Sequence, residues 1–124
     1  MQKLAEYTRI YHDDLGDSHL ETISVDCKAD REATSEIKRS TSESATNFTF
    51  IEAPRNWNYE WHNAPRRQYV LLFGGEIELE TSDGEVKHLF PGAVIFAEDT
   101  QGKGHITRSV GNTSVVLGIV PITD

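Results

Sequence analysis

From residue 47 to residue 120 the chain is a succession of short extended runs separated by turn residues, with no helical periodicity among them. A parallel α/β fold needs crossover connections of a dozen or more residues, usually helical, so that class is excluded. The runs fall at 47–52, 57–63, 68–73, 76–81, 85–89, 93–97, 105–110 and 113–120. Gly74-Gly75 and Ser82-Asp83-Gly84 read as hairpin turns, because each supplies the positive φ that tight antiparallel connections require. Phe90-Pro91-Gly92 is a further turn. Strands this short and evenly spaced predict an all-β antiparallel sandwich or barrel, and a jelly roll is the arrangement that best hides its sheet edges at this size.

Upstream, Ile23, Val25 and Cys27 share one face of an extended stretch over 19–27, which suits a half-buried strand. The first dozen residues read as a tail or an outer strand. Residues 28–46 are polar, rich in Ser, Thr and charge, and read as a loop. A short helix over 32–38 would have Ile37 as its one large apolar residue and little to bury. This loop does not mark a domain boundary: 124 residues support one core and not two, so 1–124 is a single domain.

Charge narrows the partners. Twenty acidic side chains against 12 basic ones give a net charge of −8, which argues against nucleic acid and anionic membranes, since phosphate binding rests on clustered Lys and Arg. No apolar stretch approaches a membrane span, and the first thirty residues lack the apolar segment of a signal peptide. The lone Cys27 cannot form an internal disulfide, so a reducing, cytoplasmic setting is expected. A small molecule is the partner that remains.

The block from His62 through Ala64-Pro65-Arg66-Arg67-Gln68 to Gly75, followed by Pro91-Gly92 and His105, resembles the cupin family over residues 57–120. The resemblance implies a jelly-roll barrel whose first motif, His-x-His with a later Glu and Gly, holds a metal together with a His from the second motif. Aligned on Gly75, the motif's two histidines fall on His62 and Ala64, its Glu on Gln68, and an earlier glycine on Asn56. His105 lies three residues later than usual, after an enlarged loop at 99–104, and the last motif residue, an Asn, falls on Ser109. Alanine-Pro-Arg-Arg-Gln at 64–68, followed by Glu98-Asp99-Thr100 and Gly102-Lys103-Gly104-His105, is also similar to a subgroup of small single-domain cupins.

Strand alternation then places chemistry. If His62 points inward, Glu60 and Asn58 follow it, and Trp57, Tyr59 and Trp61 take the opposite face. Gln68, Val70 and Leu72 share an inward face on the next strand, and His105 enters from the second motif with Thr107 and Ser109. A polar end of His62, Gln68 and Glu60 against a wall of Val70 and Leu72 has the general form of a small-ligand site. His62, Gln68 and His105 could hold one divalent cation, zinc, iron, manganese or nickel, with positions left open for chemistry. Without metal, His62, His105 and Glu60 form a candidate acid and base set. Arg67 or Arg66, only one of which can face the pocket, is a candidate for a substrate carboxylate. Asp99 sits in the loop before His105, at the pocket mouth. No organic cofactor is expected.

The reading that follows is a cupin-type enzyme carrying out lyase, isomerase or cyclase-like proton transfer on an oxygenated organic substrate, with or without metal assistance. The alternatives are a non-catalytic module that binds a small ligand, and a metal-dependent oxygenase. The resemblance also implies a homodimer.

Overall fold

The structure is a computed structural model that describes residues 5–29 and 37–123. Its strands are β1 (Glu6–His12), β2 (Ser18–Ser24), β3 (Lys28–Ala29), β4 (Lys38–Arg39), β5 (Thr49–Ala53), β6 (Asn58–His62), β7 (Gln68–Gly74), β8 (Glu76–Thr81), β9 (Val86–Leu89), β10 (Val94–Ala97), β11 (His105–Val110) and β12 (Val115–Pro121). A six-stranded sheet runs β2-β1-β10-β7-β12-β5 and a four-stranded sheet runs β6-β11-β8-β9. The two pack face to face as a jelly roll. No helix among the described residues is long and apolar enough to cross a membrane.

The alternation of β8 shows why the sheets close. Ile77, Leu79 and Thr81 are buried, while Glu76, Glu78 and Glu80 between them point outward. Outside, Arg108 bridges Glu78 and Glu80, and His88 pairs with Glu76. Inside, Ile77 and Leu79 meet Ile10, Leu72, Ile95 and Leu117 from the larger sheet. A core of this kind contributes through area removed from water, at roughly 25 cal/mol per Å².

Three features differ from the sequence reading. Residues 6–12 are neither tail nor outer strand: as β1 they lie between β2 and β10, antiparallel to the first and parallel to the second, and residues 1–4 lie outside the described residues. Local periodicity cannot reveal that neighbour, because the pairing joins residues almost ninety positions apart. Gly74-Gly75 is not a hairpin: β7 and β8 belong to different sheets, and the turn carries the chain from one to the other. Within the polar stretch, β3 and β4 form a two-stranded ladder, and residues 40–48 run exposed. The helix considered at 32–38 lies largely outside the described residues, and Lys38 belongs to β4.

Asn56, which stands where the family pattern places a glycine, has φ 67°. Asparagine tolerates this left-handed conformation better than most residues, so the turn into β6 survives the exchange.

Candidate functional site

β6 and β11 pair antiparallel, and their register controls the site. His62 lies opposite His105 and Tyr59 opposite Thr107, so β6 advances three positions where β11 advances two. The extra residue is a β-bulge at Glu60-Trp61, which breaks the alternation on which the sequence reading relied. Tyr59, not Glu60, therefore shares the inner face with His62, and Trp57 follows it. Glu60 and Asn58 are exposed and do not line the cavity. The expectation that Glu60 stands beside His62 as a base is corrected by this bulge.

What Glu60 does supply is its backbone. His62 Nδ1 donates a 2.8 Å hydrogen bond to the Glu60 carbonyl, and the Tyr59 ring stacks flat on the imidazole at 3.5 Å between centroids, 3° from parallel. A carbonyl only accepts, so the proton sits on Nδ1 and the Nε2 lone pair is left free. Burial lowers the His62 pKa, the neighbouring His105 adds to that, and the Glu60 carbonyl partly opposes it.

His105 is 5% exposed and its ring centroid lies 4.4 Å from that of His62. Its Nδ1 donates to Asp99 Oδ2 at 2.6 Å, and Asp99 is entirely buried. The Asp99 backbone carbonyl accepts from Ala64 N and Asn63 Nδ2, each at 3.2 Å, so the loop 99–104 is tied to the residues that follow β6. Ser18 Oγ donates to Gly104 O at 2.6 Å and fastens the other end of the loop. Asp99 was expected at the pocket mouth touching substrate. It lies behind His105, aligning the ring. A signal existed in the sequence: an Asp six residues before a His, with two glycines between, can fold back onto it.

Both histidines line a cavity of about 360 Å³ between the sheets. Its wall is Ile10, Val70, Ile77, Leu79, Ile95 and Leu117, with Trp57 and Tyr59 supplying aromatic faces. Gln68, Thr107 and Arg66 add polar groups. Leu72, expected in the lining, is buried in the core and does not reach the cavity. Arg67 also differs from expectation. It points away from the cavity, with Nε 3.7 Å from Glu98 and its guanidinium over the Phe96 ring, and Arg66 faces the cavity instead. Ser109 takes no part in the lining; its Oγ accepts from the Trp57 backbone N–H at 2.8 Å and ties the start of this segment to β11. Trp57 and Tyr59 are the lining residues that strand alternation misassigned.

The donor set decides what can be said of a metal. His62 and His105 offer two neutral nitrogens, but no third His, Cys, Asp or Glu joins them among the described residues. The Asp99 carboxylate is held on the far side of His105, and Gln68 contributes at most an uncharged amide oxygen. The pair falls short of the three charged or imidazole donors that usually anchor a catalytic divalent ion. The residues do not fit such a group.

Comparison with solved structures gives the class. A cupin domain from Bordetella pertussis superimposes with a TM-score of 0.50 at 20% identity, covering 68% of this chain and 88% of that one. The cupin domain of Schizosaccharomyces pombe Cnp3 gives 0.54 at 13% identity, covering 86% and 73%. A predicted oxalate decarboxylase from Thermotoga maritima gives 0.50 at 15%, covering 98% and 97%. No family model matches the chain, and no curated protein does. The chain has the cupin fold. Identities this low carry the architecture and leave the chemistry to the residues of the cavity.

Proposed function

We propose that the protein is an enzyme of proton transfer, in which the facing imidazoles of His62 and His105 isomerise, dehydrate or cyclise a small carbonyl-containing substrate. One observation supports this reading above the others: two histidines with ring centroids 4.4 Å apart, each fixed through Nδ1, both lining one largely apolar cavity. Burial keeps His62 neutral to lower pH than an ordinary imidazole, which suits a base near neutrality. It would take a proton from the carbon beside the substrate carbonyl, the C–H electron pair moving to the oxygen as an enolate forms. The proton now on His62 Nε2 would then go to the enolate oxygen or to a carbon farther along the conjugated system, either directly or after passing to the unprotonated Nε2 of His105, whose ring Asp99 aligns. Thr107 and Gln68 can hydrogen-bond the oxygen, and the apolar wall keeps out the water that would screen the developing charge.

The test is deuterium incorporation from D2O into a panel of carbon acids, followed by proton NMR with and without a chelator. Exchange catalysed by the wild-type chain, unchanged by chelation and reduced at least about 100-fold in His62→Gln and in His105→Gln, is the expected result. Exchange that vanishes on chelation and returns with an added divalent cation would replace this reading with a metal-dependent one. Binding without exchange across the panel would leave a ligand-binding module.

A further inference from the structure

The cavity is unlike the rest of the surface in its charge. The chain carries 20 acidic side chains, yet among the described residues no Asp or Glu lines this pocket, where Arg66 supplies the cation. The lining residues that are also exposed, Thr49, Ile51, Tyr59, Pro65 and Arg66, mark its opening, so Arg66 stands at the mouth with the imidazoles deeper. Other arginines are committed elsewhere: Arg9 to Glu98 and Glu21, Arg108 to Glu78 and Glu80, Arg67 toward Glu98. Arg66 makes no hydrogen bond or ion pair with the described residues. The side chains of its neighbours Pro65 and Ala64 carry no acceptor.

We propose that Arg66 selects the substrate class: a monoanionic organic carboxylate with an apolar, ring-bearing body. This rests on the proton-transfer reading above and names the substrate for that same cavity. The carboxylate would sit on the guanidinium at the mouth, where two parallel N–H donors match its two oxygens. The ring would lie along Trp57 and the aliphatic wall, bringing the carbon to be deprotonated between the two Nε2 atoms. In a chain of net charge −8, a guanidinium at an opening whose described lining residues include no carboxylate is the local attraction an acidic ligand requires. Arg67 cannot substitute, since it belongs to the other side of the sheet.

The probes are 2-naphthoate and its neutral isostere 2-naphthamide, titrated calorimetrically at low salt into the wild-type chain, Arg66→Gln and Arg67→Gln. The expected result is that wild type and Arg67→Gln bind the acid about tenfold more tightly than the amide. In Arg66→Gln the preference should shrink to about twofold or less while the amide affinity stays put, and added salt should weaken acid binding alone. Equal affinities in the wild type, a preference that survives Arg66→Gln, or no binding of either probe would overturn the proposal. His62→Gln separates it from the reading it rests on. A carboxylate preference that persists there, with no deuterium exchange even in wild type, leaves the ligand class standing and removes the reaction. Exchange as fast on neutral carbon acids as on acidic ones, untouched by Arg66→Gln, does the reverse.

Discussion

Asp99 and His105 share a 2.6 Å hydrogen bond in a place solvent does not reach, with Asp99 fully buried and the His105 side chain 6% exposed. The carboxylate only accepts, so it fixes the proton of His105 on Nδ1 and leaves Nε2 without one. Asp99→Asn keeps the shape but introduces an amide that can donate, turning the ring to the tautomer with its proton on Nε2. Catalysed exchange should fall about 10- to 100-fold with the fold intact. The nitrogen-15 shifts of His105 should exchange their assignment between the two ring nitrogens. A variant of full activity with the tautomer unmoved would show that Asp99 is a packing residue.

Two histidines make the stability depend on pH in opposite senses. Burial depresses the pKa of His62, so the unfolded chain binds its proton more readily than the folded one. Its contribution is complete above about pH 6.5 and is lost as the pH falls below that. His19 is the converse. Its Nε2 lies 2.7 Å from Asp13 and its Nδ1 3.0 Å from Asp83, and the bond to Asp13 first, then Asp83, raises its pKa against the effect of burial. The folded chain holds that proton more tightly, so this contribution is complete below about pH 6.5 and is lost as the pH rises through the elevated value. In thermal melts from pH 5 to 8, His62→Gln should flatten the acid limb and His19→Gln the alkaline one. Both variants retaining the wild-type profile would sink the assignment.

Tyr59 and Glu60 show what could be read in advance and what could not. Strands β8 and β11 fall where alternation puts them, because period and turn residues are local properties. His62 and His105 also come together, since each begins or ends a strand of the inferred barrel. The bulge in β6 is different: it is set by how β6 meets β11, some forty-five residues away, and nothing in Asn-Tyr-Glu-Trp-His announces it. One inserted position exchanges the inner and outer sets. The burial of Asp99 and the insertion of β1 beside β10 are likewise products of long-range pairing.

The bulge is testable through that exchange. Glu60→Gln should alter stability by no more than about 0.5 kcal/mol and leave deuterium exchange within about twofold of wild type. Tyr59→Ala removes the ring stacked on His62, worth about 0.5–1.5 kcal/mol beyond its buried area, and should lower exchange as the imidazole loosens. If the charge of Glu60 mattered and Tyr59 did not, the alternation without a bulge would be the correct geometry.

Gly104 joins the second motif to the first through its lack of a side chain. At φ +76°, a Cβ there would run into the carbonyl of His62, which is backbone and cannot swing aside. Gly104→Ala therefore carries two penalties: the left-handed strain, about 1–2 kcal/mol, and the separation of β11 from the end of β6. Gly84 supplies the comparison. It has φ +92° in the β8–β9 turn, but a Cβ there would meet nothing within 4 Å, so Gly84→Ala carries the strain alone. The expected outcome is a loss of about 1–2 kcal/mol for Gly84→Ala with deuterium exchange preserved. For Gly104→Ala the loss should be about 3 kcal/mol or more, lowering Tm by about 10 °C, with exchange falling because His62 moves relative to His105. Equal losses in the two variants would mean that the backbone contact with His62 does not hold the pair of imidazoles in place.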